Sequence, residues 1–394
     1  MLAFTFPGQG SQKPGMGAPW QQHPSWELVD EASEVAGRDI GQLLLEADAD
    51  ELRNTRNAQL VTFMTSLVVL DAVERVGIVP GVVAGHSLGE YTALTATGAL
   101  SFEDGIRIVV ARGEAMQRAA DDHPGTMAAI LGLDDADADA ACRRADADVW
   151  VANFNAPGQV VIAGSVEGVE RASGAAKDLG AKRVMALPVG GAFHTQFMAP
   201  ARDELRKAVE EATIRDPEIP VFANIDARPH RSGREWSSLL SAQLCSPVRW
   251  RQTVQHMVAD GVDTFVELGP GGILTGMVKR IAPDRRGLAV GTPDDIDHLL
   301  EVLSGEPPAP VGQPDGEHLF MTERMVVSPA AGVFTRDCRW ADPDDQGKVE
   351  VGELLGTVGE AEVRSLFAGV VQGFIAINGE RVTASQPIAW LRSP

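Results

Sequence analysis

Apolar positions along the first three hundred residues switch between the spacings of buried strands and of amphipathic helices. Short continuous runs at Leu2–Phe6, Val82-Val83-Ala84, Val221-Phe222-Ala223-Asn224 and Thr264–Leu268 read as strands covered on both faces. Between them, apolar residues three and four apart predict helices. These are most of the stretch from Trp26 to Leu70, an apolar helix that Gln59-Leu60-Val61 leads into and that runs to Val76, a helix carrying Ile106, Val109, Val110 and Met116, and one from Pro200 to Ala212. Strands alternating with helices on this scale predict a parallel sheet covered by helices.

The pattern changes at Pro124-Gly125. A strand from Met127 to Leu131 precedes a helix (Ala136 to Ala145), two strands (Val149 to Asn153, Gln159 to Ala163), a helix (Val166 to Leu179) and a strand (Lys182 to Leu187). The order β-α-β-β-α-β predicts a ferredoxin-like subdomain over 126–188, inserted into a core made of 1–125 and 189–303. Pro307, Pro308, Pro310 and Pro314, interleaved with glycine, predict a semi-rigid linker over 304–320. Beyond it, over 321–394, Ser328-Pro329-Ala330-Ala331-Gly332-Val333 is echoed by Ser365-Leu366-Phe367-Ala368-Gly369-Val370. Two similar halves of short strands predict a small all-β sandwich with a pseudo-twofold axis.

The chemistry begins at Gly85-His86-Ser87-Leu88-Gly89, which fits G-x-S-x-G between a predicted strand and a predicted helix. Such a turn is too tight for side chains at the glycines and lifts the Ser87 hydroxyl above the strand tip, the nucleophile elbow of an α/β-hydrolase-like core. The plain alternative is an ordinary strand-to-helix loop. A nucleophile needs a base, and of eight histidines His194 is the candidate, because it follows Gly190-Gly191 where the insert returns to the core. His86 precedes Ser87, so the elbow turns its side chain away, and a structural role is expected for the other seven. No acid between Ser87 and His194 stands in a recognisable post-strand position, so a backbone carbonyl is expected to orient the imidazole. Pro7-Gly8-Gln9-Gly10 after the first strand allows the backbone to approach a reacting carbonyl oxygen.

Composition narrows the partners. With 34 basic and 55 acidic residues the net charge is −21, which argues against nucleic acid or an anionic membrane surface. Three scattered cysteines predict a reducing compartment and no structural metal. The N-terminal stretch lacks a basic n-region and no apolar run reaches membrane-spanning length, so a cytoplasmic location is expected.

Several motifs resemble malonyl-CoA:acyl carrier protein transacylases and the acyltransferase domains of polyketide synthases. They are Phe6-Pro7-Gly8-Gln9-Gly10-Ser11-Gln12, Gly85-His86-Ser87-Leu88-Gly89-Glu90, Ala111-Arg112-Gly113-Glu114-Ala115-Met116-Gln117, Asn153-Phe154-Asn155-Ala156-Pro157-Gly158-Gln159, Ala192-Phe193-His194, Pro247-Val248-Arg249-Trp250 and Glu267-Leu268-Gly269-Pro270-Gly271. The likeness covers about residues 1–300. It implies that Ser87 is acylated by malonyl-CoA and passes the acyl group to the phosphopantetheine thiol of an acyl carrier protein, with no bound cofactor. It implies further that the Gln9 and Leu88 N–H groups form the oxyanion hole and that the Gln243 main-chain carbonyl holds His194. Arg112 matches the residue that pairs with the malonyl carboxylate, a role suited to a guanidinium fork. Gln59 and Phe193 join it as substrate-binding candidates. A phenylalanine before the histidine resembles the malonyl-selecting form. Arg107 and Arg118, on the same helix as Arg112, read as surface residues. Lys182, Arg183, Lys279 and Arg280 are candidate contacts for an acidic carrier protein.

The C-terminal halves resemble biotinyl/lipoyl carrier domains. Those carry the cofactor on a lysine in the hairpin between the halves, and Gly356-Thr357-Val358-Gly359-Glu360-Ala361-Glu362-Val363 contains none. A docking or structural role is expected instead, with a synthase component as a further partner. Three activities compete on these residues: transfer of malonyl (or of another acyl unit), hydrolysis of acyl thioesters by the same Ser87 and His194, and a non-catalytic scaffold.

Overall fold

A computed structural model describes residues 1–304, 323–340, 347–359, 361–365, 368–383 and 386–392. Apart from Ser304, the linker expected over 304–320 lies outside them, as does His318. The chain divides into two compact units, the first comprising Met1–Ala72 and Val79–Leu303.

Ten strands of the first unit follow in chain order: β1 (Leu2–Phe6), β2 (Val82–Gly85), β3 (Thr126–Leu131), β4 (Val149–Ala156), β5 (Gln159–Gly164), β6 (Arg183–Ala186), β7 (Val221–Phe222), β8 (Pro229–His230), β9 (Thr264–Leu268) and β10 (Arg286–Val290). The core sheet runs β10-β9-β1-β2-β7-β8, parallel except for β8 at the edge. Its central strands are buried along their length, as their unbroken apolar runs require. Ala3, Ala84, Phe222 and Phe265 pack with Trp250, Val254, Met257, Leu274 and Val278 from the helices Trp250–Ala259 and Ile273–Ile281.

The apolar helix introduced by Gln59 starts one turn earlier than expected, at Thr55, and runs to Arg75. The strand expected over Val221 to Asn224 stops at Phe222. The reason is local: Asn224 leaves the ladder to accept the Ser87 N–H at 2.7 Å and to donate to the Gly85 carbonyl at 2.7 Å.

The second sheet is antiparallel in the order β4-β5-β3-β6, the ferredoxin-like arrangement that β-α-β-β-α-β predicts. Its helices Asp135–Arg144 and Val166–Asp178 bury Ala138, Ala141, Ala172 and Ala176 against Ile130, Val151, Val160 and Ile162. The insert is fastened to the core. Phe154 N–H donates to the Val248 carbonyl and Val248 N–H to the Ala152 carbonyl, both at 2.9 Å, and Arg251 pairs with Asp135.

Among the described residues of the second unit, eight strands follow: β11 (Glu323–Val327), β12 (Gly332–Arg336), β13 (Lys348–Val349), β14 (Leu354–Val358), β15 (Ala361–Arg364), β16 (Gly369–Phe374), β17 (Arg381–Val382) and β18 (Pro387–Arg392). They form two four-stranded sheets, β11-β18-β16-β13 and β15-β14-β12-β17. Exchanging each strand for the one four places along the chain turns the first order into the second, as the repeat demands. Phe334, Trp340, Leu355, Val371 and Ile388 share one buried cluster.

Candidate active site

Ser87 sits where β2 turns into the helix Gly89–Ala96, with φ of +53°, a left-handed conformation rarely adopted by a side-chain-bearing residue. The flanking glycines are required by space. A Cβ on Gly85 would lie 1.8 Å from the Gly89 carbonyl carbon, and one on Gly89 would lie 2.0 Å from the Phe6 carbonyl oxygen. Because β1 and β2 are parallel neighbours with Phe6 opposite Gly85, the loops that follow them leave the sheet side by side. That register sets Gln9 next to the elbow. Among the described residues neither the Gln9 nor the Leu88 N–H donates to a protein acceptor, whereas the Ser87 N–H is taken by Asn224. Gln12 steadies the loop, accepting from Gly10 N–H at 2.7 Å and donating to the Leu52 carbonyl at 3.1 Å.

His194 Nε2 lies 2.7 Å from Ser87 Oγ, and Nδ1 lies 2.9 Å from the Gln243 carbonyl oxygen. A carbonyl only accepts, so Nδ1 carries the proton and Nε2 presents its lone pair to the hydroxyl. Gln243 is the last residue of the helix Gly233–Gln243, where carbonyls lack intrahelical partners and the dipole is negative. Burial, reinforced by the Arg112 charge, pushes the imidazole down to about 3 and keeps it neutral. A main-chain carbonyl rather than a carboxylate thus orients the imidazole.

Arg112 lies on the buried face of the helix Phe102–Asp122, in step with Ile108, Val109, Ala115 and Met116. Its guanidinium donates to Ser87 Oγ at 3.1 Å, to Gln59 Oε1 at 2.6 Å and to Gln243 Oε1 at 3.0 Å, and lies 5.1 Å from the centre of the Tyr91 ring. Arg107 and Arg118 point outward and pair with Asp104 and Glu204. Gln59 lines the cleft and holds Arg112, with its own amide nitrogen 3.1 Å from Met116 Sδ.

A cleft of about 470 Å³ opens over these groups, floored by Ser87, Arg112 and His194 and walled by Phe193, by Met127, Asn153 and Val161 of the insert, and by Leu274 and Met277. His86 also lines it; the residue is half-buried, with Nε2 2.9 Å from Asn155 Oδ1, so it ties core to insert. Lys182 and Arg280, about a hundred residues apart in the chain, line a separate depression of about 410 Å³ with Gly132, Asp134 and Gly158. Arg183 and Lys279 are exposed and do not line it.

Two buried residues escaped the sequence reading. Glu90 accepts from Asn224 N–H and from the Gln243 side-chain nitrogen, each at 2.6 Å, and burial pushes its carboxyl up to about 8 against the pull of these bonds. Asn224 braces the elbow from the neighbouring strand. The available signals were a carboxylate directly after Gly89 and a polar end to an otherwise apolar run.

Known proteins are similar to this chain over most of its length. Residues 3–290 match the family described as the acyl transferase domain. A malonyl CoA-acyl carrier protein transacylase of Bacillus subtilis (strain 168) is 42% identical over 313 residues, covering 77% of this chain and 98% of that protein. The protein of the same name from Escherichia coli (strain K12) is 42% identical over 309 residues, 76% of this chain and 99% of its own length. Among solved structures, the acyl-carrier-protein S-malonyltransferase of Burkholderia pseudomallei 1710b superposes with a TM-score of 0.74 at 43% identity, covering 76% of this chain and 99% of that one. A malonyl-transacylase in complex with its type II polyketide acyl-carrier protein does so at 0.74 and 38% identity, over 76% and 99%.

Proposed function

The chain belongs to the acyl transferase domain family, and on that premise we propose that its malonyl transfer runs through an ester on Ser87. The protein is a malonyl-CoA:acyl carrier protein transacylase, an enzyme that moves malonyl to an acyl carrier protein in fatty acid or polyketide biosynthesis.

In the proposed course, His194 Nε2 takes the Ser87 proton as Oγ attacks the thioester carbonyl of malonyl-CoA. The Gln9 and Leu88 N–H groups receive the developing oxyanion, and each such donor is typically worth about 3–4 kcal/mol to a transition state. The C–S bond breaks and the coenzyme A sulfur leaves with the proton from Nε2. The phosphopantetheine thiol then gives its proton to Nε2 and attacks the ester, and Ser87 departs with that proton. Arg112 holds the free carboxylate throughout. No bound cofactor takes part.

The observation that carries this reading is the buried guanidinium 3.1 Å from the nucleophile. A malonyl group places its carboxylate two carbons from the carbonyl under attack, so an acceptor for that charge belongs beside Ser87. Simple acyl chains have no use for it. Incubation with malonyl-CoA and holo carrier protein tests the reading: malonyl on the carrier thiol and a transient Ser87 adduct by intact mass are expected. Release of free malonate alone would make the protein a thioesterase, and absence of any adduct would make it a scaffold.

We read Lys182 and Arg280, with Arg183 and Lys279 beside them in the chain, as contacts for the acidic carrier. Supporting this, Arg280 donates to the Pro157 carbonyl at 2.9 Å and to Gln159, and Gln159 also lines the cleft. Charges at such a rim steer encounter more than they add affinity. The core is read as α/β-hydrolase-like on its elbow and parallel sheet. The second unit is read as biotinyl/lipoyl-like on its paired halves; its lysine-free hairpin makes it a docking module for a synthase component. A cytoplasmic location accompanies this assignment.

A further inference from the structure

Glu90 touches neither the cleft nor Ser87 Oγ, yet it is one of the most deeply buried charged groups of the first unit, 1% exposed. A carboxyl so placed is costly unless its partners compensate it. Those partners form a chain whose direction cannot be reversed. The Arg112 guanidinium only donates, so the Gln243 oxygen must face it, which leaves the Gln243 nitrogen facing the Ser87 carbonyl at 2.9 Å and Glu90 Oε2 at 2.6 Å. The Asn224 main-chain N–H, also only a donor, takes Glu90 Oε1. Both carboxyl oxygens therefore accept, the pattern that an ionised carboxylate satisfies.

We propose that Glu90 is a positioning residue for malonyl selection: through the Gln243 amide it locks the orientation of Arg112 that receives the free carboxylate of the substrate. This rests on the reading of Arg112 given above and extends it to a residue outside the cleft. The logic is that of a donor–acceptor register. An amide at position 90 can offer an oxygen to the Asn224 N–H only by turning its nitrogen toward Gln243. Gln243 must then flip, and its nitrogen would face Arg112, donor against donor. The guanidinium loses a fixed acceptor, and its remaining bonds to Gln59 and Ser87 no longer define one pose. The His194 base is spared, because it is held by the Gln243 main chain rather than the side chain.

The prediction is a split between substrates. With Glu90→Gln, kcat/KM for malonyl-CoA should fall about tenfold or more, the scale expected for a disrupted buried hydrogen bond to a charged group, mostly through KM. Transfer of acetyl, which carries no carboxylate, should fall less than about threefold on the same grounds. Assays run at about pH 8.5, where the carboxylate form of Glu90 prevails, with thermal unfolding measured alongside. Glu90→Asp, which keeps the charge on a shorter stem, should lie between wild type and Glu90→Gln in its malonyl-to-acetyl ratio, and carries the test alone should Glu90→Gln not fold. Equal losses for both acyl groups in whichever variant folds would overturn the proposal and leave Glu90 a structural residue. Arg112→Ala is the control that separates the two levels. If it changes the ratio while the Glu90 variants do not, only the positioning role falls. If it leaves the ratio unchanged, the carboxylate reading of Arg112 falls, and this proposal with it.

Discussion

The interiors of the two units are built from different materials. In the first, Gln59, Glu90, Arg112, His194, Asn224 and Gln243 are buried together beneath one cleft. In the second, the buried polar residues among those described are Ser328 and Ser365, which open the two copies of the repeat. A buried polar group must be matched by a partner of fixed geometry, so the first interior is specified by a hydrogen-bond register. The second is specified by apolar packing and by its own symmetry. The first arrangement sets His194 Nε2 and the Arg112 guanidinium within hydrogen-bond distance of Ser87 Oγ. The contrast teaches that the cleft of the first unit rests on a hydrogen-bond register that apolar packing alone does not supply.

The strongest way to break the comparison is to remove the nucleophile. Ser87→Ala should lower malonyl transfer on the order of 10⁴-fold or more and abolish the adduct seen by intact mass, since the members of such a unit fail together. Residual transfer near the wild-type rate would move the chemistry elsewhere. Next in size is Arg112→Ala, expected to reduce malonyl transfer about 100-fold while leaving acetyl transfer equal or raised, because only the former loses a charge-assisted bond. Parallel loss of both activities would remove the carboxylate argument.

A subtler effect concerns pH. The base must be neutral to act, and a depressed pKa leaves it neutral until pH falls toward about 3. Followed with acetyl-CoA, which brings no carboxylate for Arg112 to bind, acylation should stay level from about pH 8 to about pH 5, without the acid limb that an ordinary histidine would give near 6.5. A limb there would show that His194 is solvated during turnover. The smallest effect is expected on removing the second unit. A chain ending at Leu303 retains every site residue, and it corresponds to the length of relatives that are covered almost completely. Its transfer rate to a free carrier should stay within about twofold, the scale of a change that removes no residue of the site. A large loss would make the β unit part of the carrier-binding machinery.

Much of the site was legible from local pattern. Gly85 and Gly89 around Ser87 report a steric requirement confined to five residues, and the structure shows contacts that leave a side chain no room. Arg112 is set apart from Arg107 and Arg118 in the sequence by the family motif it stands in, and the structure places it on the buried face of its helix. Gln59 was named as a substrate contact, but its bond to Arg112 could not be inferred, because nothing local aims one helix at another.

Strand and helix periods, the elbow and the C-terminal repeat were determined by the sequence alone, because each follows from the sterics and spacing of neighbouring residues. The tertiary structure decided what meets at the elbow. The His194 ring is oriented by a carbonyl 49 residues away, Arg112 by an amide 131 residues away, and Glu90 closes the network across 153. Such bonds depend on the order of strands in the sheet and on which helix ends point at the cleft. The physical reason is that a hydrogen bond needs its donor and acceptor aligned within a few tenths of an ångström, and only the packed fold sets that alignment.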